Sequence, residues 1–141
     1  MKPALFLRIA AILTLLFCTV HTLGGVFGKP PPGAQADMAH AMQSTAFPMF
    51  GVIRTFWDFN IGYGVTFALV LLFHAVLFWQ LAGIVKTHAY VIRPVLVTLF
   101  LEFLGMAPVM YRYFFLGPCI FSALIALCIA IAFFTARPTA S

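Results

Sequence analysis

The chain has 141 residues and a formal net charge of +5, with 64% of its residues hydrophobic and 8% charged. A water-soluble domain carries roughly a quarter of its residues as charges, so this composition excludes an ordinary aqueous surface and makes lipid the main solvent. The eight basic residues are scattered, with no cluster of four or more, which excludes a nucleic-acid footprint and fits attraction to anionic headgroups.

The first apolar run, from Ala4 to about Val26, has the basic start of a secretory signal but is long enough to span. The nearest small-x-small pattern, Ala34-Gln35-Ala36, lies beyond its apolar end, so an uncleaved first helix is predicted. Ala11, Thr14, Cys18, His21 and Gly25 recur at spacings of three and four, and that small and polar stripe is expected to face protein. A long connection over 29–60 opens with Pro30-Pro31-Pro32-Gly33, which ends the helix. Within it, Ala34 to Phe47 is predicted as an interfacial helix stopped by Pro48, with Met38, Met42 and Phe47 toward the membrane and Asp37 and Gln43 toward water. Trp57 and its flanking phenylalanines belong at headgroup level, and Asp58 or Asn60 is expected to cap the second span.

From Ile61 to Val85 the strongly polar side chains are Thr66, His74 and Gln80, which predicts a second span over 61–85. Lys86 to Arg93 forms a basic turn, and the Arg93-Pro94 step is expected to start a third span over 93–110, with Pro108 kinking its end. Thr98, Glu102, Gly105 and Val109 share one face of it. A fourth span covers 116–135, carries Cys119, Ala123, Ala126 and Ala130 as a second small stripe, and is followed by Arg137 as an anchor. The predicted fold is all-α: one membrane domain, an antiparallel four-helix bundle with spans at about 5–27, 61–85, 93–110 and 116–135 and an outer loop at 29–60. Lys2, Arg8, Lys86, Arg93 and Arg137 fall on the side of the termini, against Lys29, Arg54 and Arg112 opposite, so both ends are expected in the cytoplasm.

Ionisable groups inside lipid are costly and therefore the first candidates for function. His74 and Glu102 lie at similar depth on neighbouring spans and could meet, either as a proton-handling or ligand-orienting pair or as a structural interhelical hydrogen bond. His21, Trp57, Asp58 and Thr98 are the further candidates for contact with a ligand. His21 and His74 differ in depth by roughly 10 Å at 1.5 Å per residue, too far apart for one haem plane, and no cofactor is assigned. Cys18, Cys119 and Cys128 form no C-x-x-C pair and read as small buried side chains, and no ligand spacing predicts a metal site. The leading functional expectation is an accessory subunit or a binder of a small hydrophobic molecule, packed with a partner subunit or a second copy. The alternative is an acid–base enzyme using Glu102 and His74 on a lipid-soluble substrate such as an isoprenoid or quinone.

The order Leu7-Arg8-Ile9, His21-Thr22-Leu23-Gly24-Gly25, Phe56-Trp57-Asp58-Phe59, Gly62-Tyr63-Gly64, Trp79-Gln80-Leu81, Arg93-Pro94 and Tyr113-Phe114-Phe115 with Pro118 resembles a family of small four-span bacterial membrane proteins. That resemblance covers nearly the whole chain and implies a bacterial inner-membrane four-helix protein, with no activity to carry over. A more distant architectural analogy is to the sterol-isomerase-like membrane fold, in which acidic and histidine side chains inside a bundle handle protons; the His-x-x-x-Glu pairing on one helix is missing here. The four-helix quinone-coupled disulfide oxidases are similar in helix number only.

Overall fold

The computed structural model describes residues 3–136, so Lys2 and Arg137 of the basic count lie outside the described residues. The order is α1 (Pro3–Val20), a π-helical turn (His21–Val26), α2 (Ala34–Ser44), β1 (Ala46–Met49), β2 (Val52–Thr55), α3 (Phe56–Ile84), α4 (Ala89–Tyr113) and α5 (Leu116–Thr135). Among the described residues, four helical stretches, of 24, 29, 25 and 20 residues, are long and apolar enough to cross a membrane. Crossing takes about 20 residues, and a helix meets that demand because its backbone groups bond internally where no water is at hand. These candidate spans are the pattern of a multi-pass membrane protein. Leu5, Leu16, Phe73, Leu101 and Leu127 all stand exposed on the helix surfaces, an outward apolar face that suits lipid.

The second and third long helices begin before the expected span starts at 61 and 93, whereas the last begins at Leu116 as expected. Thr55 and Asp58 exchange two hydrogen bonds, Thr55 N to Asp58 Oδ2 at 2.7 Å and Asp58 N to Thr55 Oγ1 at 3.1 Å. This capping box fixes the start of α3 at Phe56, with Thr55 as the cap and Asp58 three residues in. Likewise α4 runs from Ala89 to Tyr113 with Pro94 and Pro108 inside it. A break there would leave several backbone groups unpaired in lipid, a larger cost than the one N–H each proline removes.

Packing divides the chain into two compact units. In the unit of residues 3–17 and 71–136, side-chain contacts link the four helical segments in a closed circuit. Arg8 lies over the Trp79 ring at 5.5 Å, His74 meets Glu102, Arg93 lies over Phe133 at 4.3 Å, and Phe121 stacks on Phe17 at 5.2 Å. Leu7, Phe78, Leu96, Phe103, Ile125 and Ile129 are the fully buried centre of this helical bundle. Ala11 and Thr14 of the expected stripe are buried there too, and Thr14 Oγ1 donates to Ala10 O at 2.8 Å.

The unit of residues 18–70 holds the π-helical turn, α2, the hairpin and the first half of α3. The helix expected over 34–47 stops at Ser44, where Thr45 donates both its N–H and its Oγ1 to Ala41 O. Pro48 and Phe47 lie instead on β1, which pairs antiparallel with β2 through Phe47 opposite Arg54 and Met49 opposite Val52. The two-residue turn uses Phe50 and Gly51 at φ of +46° and +85°, the left-handed pair that matches strand twist. Phe47 meets the Phe56 ring at a 45° tilt and stacks on Phe59, tying the hairpin to the start of α3.

Candidate functional site

His74 sits on α3 and Glu102 on α4, each about 15 Å from the nearer end of its helix at 1.5 Å per residue. Helices of this length crossing a hydrocarbon layer about 30 Å thick would carry both near its middle. The same faces bury Leu71, Ala75 and Phe78 of α3 and Leu99 and Phe103 of α4, so the two polar groups are carried to one junction by apolar packing. His74 Nε2 and Glu102 Oε2 are 3.1 Å apart. Phe103 meets the imidazole edge to face at 5.5 Å and 85°, with Phe78 at 6.3 Å on another side. These rings hold the imidazole orientation while its nitrogen reaches the acid.

The two side chains are unequally covered, His74 at 16% and Glu102 at 38% exposure. One proton between Nε2 and Oε2 satisfies the contact whichever atom carries it, and the neutral arrangement keeps net charge out of lipid. An imidazole and a carboxyl one hydrogen bond apart can exchange that proton, and the exposed side of Glu102 leaves a carboxyl oxygen able to accept a further hydrogen bond. Thr98 lies one turn before Glu102 on α4, exposed, with Oγ1 donating to Pro94 O at 3.2 Å.

The other candidates occupy the second unit. His21 opens the π-helical turn, where the wider spacing is marked by Phe27 N donating to Thr22 O at 3.0 Å. Its Nε2 is 2.9 Å from Gly64 O and its ring stands edge-on to Phe67 at 5.0 Å. Cys18 Sγ, one turn earlier, donates to Ala68 O at 3.3 Å. This part of the stripe therefore binds the backbone of α3, and Gly64 permits the approach, since a Cβ there would stand 2.9 Å from Val26 Cγ2. Trp57 is half-buried in the first turn of α3. Asp58 commits one oxygen to the cap and also lines an open cleft of about 330 Å³ with Arg54, Phe59, Gly62, Tyr63 and Thr66.

Of the six sequence candidates, the structure joins His74 to Glu102 directly and sets Thr98 on the same helix as the acid; His21, Trp57 and Asp58 each have separate surroundings. Phe103 and Arg54 were missed. Phe103 follows the acid immediately, whereas Arg54 acquires its place only through the hairpin. All three cysteines are free thiols, and among the described residues no group of three His, Cys, Asp or Glu side chains converges as a metal site. No protein-family model, curated protein or solved structure matches the chain.

Proposed function

We propose that this chain is an inner-membrane protein that binds a small hydrophobic molecule against the His74–Glu102 pair. One observation carries the reading: Glu102, hydrogen-bonded to His74 at 3.1 Å, still exposes 38% of its side chain on an apolar helix surface. A carboxyl oxygen facing hydrocarbon without a donor costs several kcal/mol, so an occupant that donates a hydrogen bond is favoured there. A lipid-soluble alcohol or phenol has the required O–H and an apolar body that suits the surrounding Leu101 and Val97 surface. The short connections Val85–His88 and Phe114–Phe115 support an antiparallel arrangement of the spans, and the basic residues support cytoplasmic termini.

The test is to purify wild-type protein, Glu102→Gln and Glu102→Leu from the same membranes and analyse co-purifying lipophilic molecules by mass spectrometry. A hydroxyl-bearing molecule retained by wild type, weakened by Glu102→Gln and lost from a folded Glu102→Leu variant supports the reading. Loss of an oligomer in Glu102→Leu, with no small molecule on wild type, overturns it in favour of a packing subunit. The proton-sharing geometry favours one second reading, acid–base conversion of such a molecule. Its mark is a Glu102→Gln variant that binds the molecule but no longer exchanges or rearranges it.

A further inference from the structure

The cleft beside the start of α3 is independent of the His74–Glu102 pair and has its own chemistry. Asp58, Gly62 and Thr66 follow one another at spacings of four along α3, with Phe59 and Tyr63 on the adjoining stripe and Arg54 reaching in from β2. Gly62 has no heavy atom within 4 Å of where a Cβ would stand, so the floor of the groove is open. From Asp58 to Thr66 the groove follows the helix axis for about 12 Å at 1.5 Å per residue.

Two opposite charges line this groove, close enough for Arg54 to act electrostatically on Asp58 but not joined as a salt bridge. Arg54 uses Nη1 on Ile53 O, leaving Nη2 and Nε as outward donors. Asp58 uses Oδ2 on the Thr55 N–H, leaving Oδ1 as an acceptor. The Thr55 and Asp58 amides are taken up by their reciprocal cap, and the groups that line the groove with charge are the Arg54 and Asp58 side chains.

A guanidinium and a carboxylate kept apart beside two aromatic rings complement a ligand with the opposite order of charges. We infer that this groove binds the headgroup of a phospholipid carrying a primary ammonium, its phosphate on Arg54 and its ammonium on Asp58. The guanidinium donates two N–H groups to phosphate oxygens, and Asp58 Oδ1 accepts from the ammonium. Phe59 and Tyr63 add ring faces for the cation. Thr66, exposed further along the groove, offers a hydroxyl to the glycerol ester carbonyl, and the acyl chains continue beside the apolar length of α3. At the hairpin tip, Phe50 is fully exposed despite its left-handed backbone, and Ile53 is 72% exposed, apolar surface suited to the headgroup boundary.

The inference rests on residence in a membrane and not on the occupant of Glu102, so Glu102→Leu leaves it unchanged. The protein is placed in nanodiscs of equal phosphatidylethanolamine and phosphatidylglycerol, released, and its retained lipids counted by native mass spectrometry. Wild type is expected to favour phosphatidylethanolamine about tenfold, and phosphatidylcholine, whose cation has no N–H, is expected not to replace it. Asp58→Asn keeps an oxygen for the cap and should erase the preference; Arg54→Gln should lower retention of both lipids. Circular dichroism verifies helix content of each variant, and Thr66→Val supplies a change outside the cap that should shorten retention. Equal retention of the two lipids by wild type, or an undiminished preference in folded Asp58→Asn, overturns the assignment.

Discussion

Gly64 is where a single hydrogen atom decides how closely the π-helical turn approaches α3. A Cβ at this position would meet Val26 Cγ2 at 2.9 Å, and valine is stiff at χ1, so it cannot swing aside cheaply. Gly64→Ala is expected to lower stability by about 1–2 kcal/mol. Adding Val26→Ala should recover part of that loss, because the same methyl causes it. Thermal unfolding in detergent, followed by intrinsic fluorescence, measures the cycle; strictly additive losses would place the strain elsewhere. Ser122 presents the opposite case. Its Oγ is wholly buried in α5 with no hydrogen-bond partner, so the hydroxyl carries a desolvation cost and no return. Ser122→Ala is expected to be neutral or stabilising by up to about 1 kcal/mol in the same assay.

Between elements, the contact of α3 with α4 at His74 and Glu102 should behave as a unit. Removing His74 leaves the Glu102 carboxyl in an apolar setting and removing Glu102 takes away the acceptor facing His74 Nε2, whereas removing both leaves only side chains that lipid tolerates. The double variant is therefore expected to cost less than the sum of His74→Leu and Glu102→Leu, by a coupling of about 1–2 kcal/mol. Unfolding titrations in mixed micelles give the four corners of that cycle, and zero coupling would mean the 3.1 Å contact contributes nothing. This meeting was legible in the sequence because both residues stand at similar distances from polar boundaries on helices of nearly constant rise. The four long helices were legible for a related reason, since lipid forces the backbone to satisfy itself over an uninterrupted apolar length. Their limits were less so. Phe56 to Asn60 reads equally well as headgroup-level loop or first helical turn, although Thr55-x-x-Asp58 carries the cap signal that settles it. The hairpin was hidden by Pro48 inside a four-residue strand and by a Phe-Gly turn where Asn-Gly is the usual mark. With the hairpin went the position of Arg54, and with Arg54 the charge pattern of the cleft.

At the scale of the whole molecule, four crossings would put both termini on one side, and the distribution of basic residues favours the cytoplasm for that side. In that arrangement Lys2, Arg8, Lys86 of the Val85–His88 connection, Arg93 near the start of α4 and Arg137 would fall on the side of the termini, and Lys29, Arg54 and Arg112 opposite, together with the acids Asp37 and Asp58. The bias is small, five against three, and counts most in short loops such as Val85–His88, where residues next to a span resist translocation. Gln43 near the end of α2 and Lys86 after α3 are both exposed, so single cysteines there report opposite compartments without disturbing a packed core. In intact cells a membrane-impermeant maleimide is expected to label Gln43→Cys at once and Lys86→Cys only after permeabilisation. The three native thiols lie within the helices and serve as the unlabelled background in wild type. Exchanging Lys86 and Arg93 for glutamine should shift part of the population to the reverse pattern, since it leaves the two sides nearly balanced. Labelling of both single-cysteine proteins from outside would rule out four spans, and prompt labelling of Lys86→Cys alone would reverse the assigned direction.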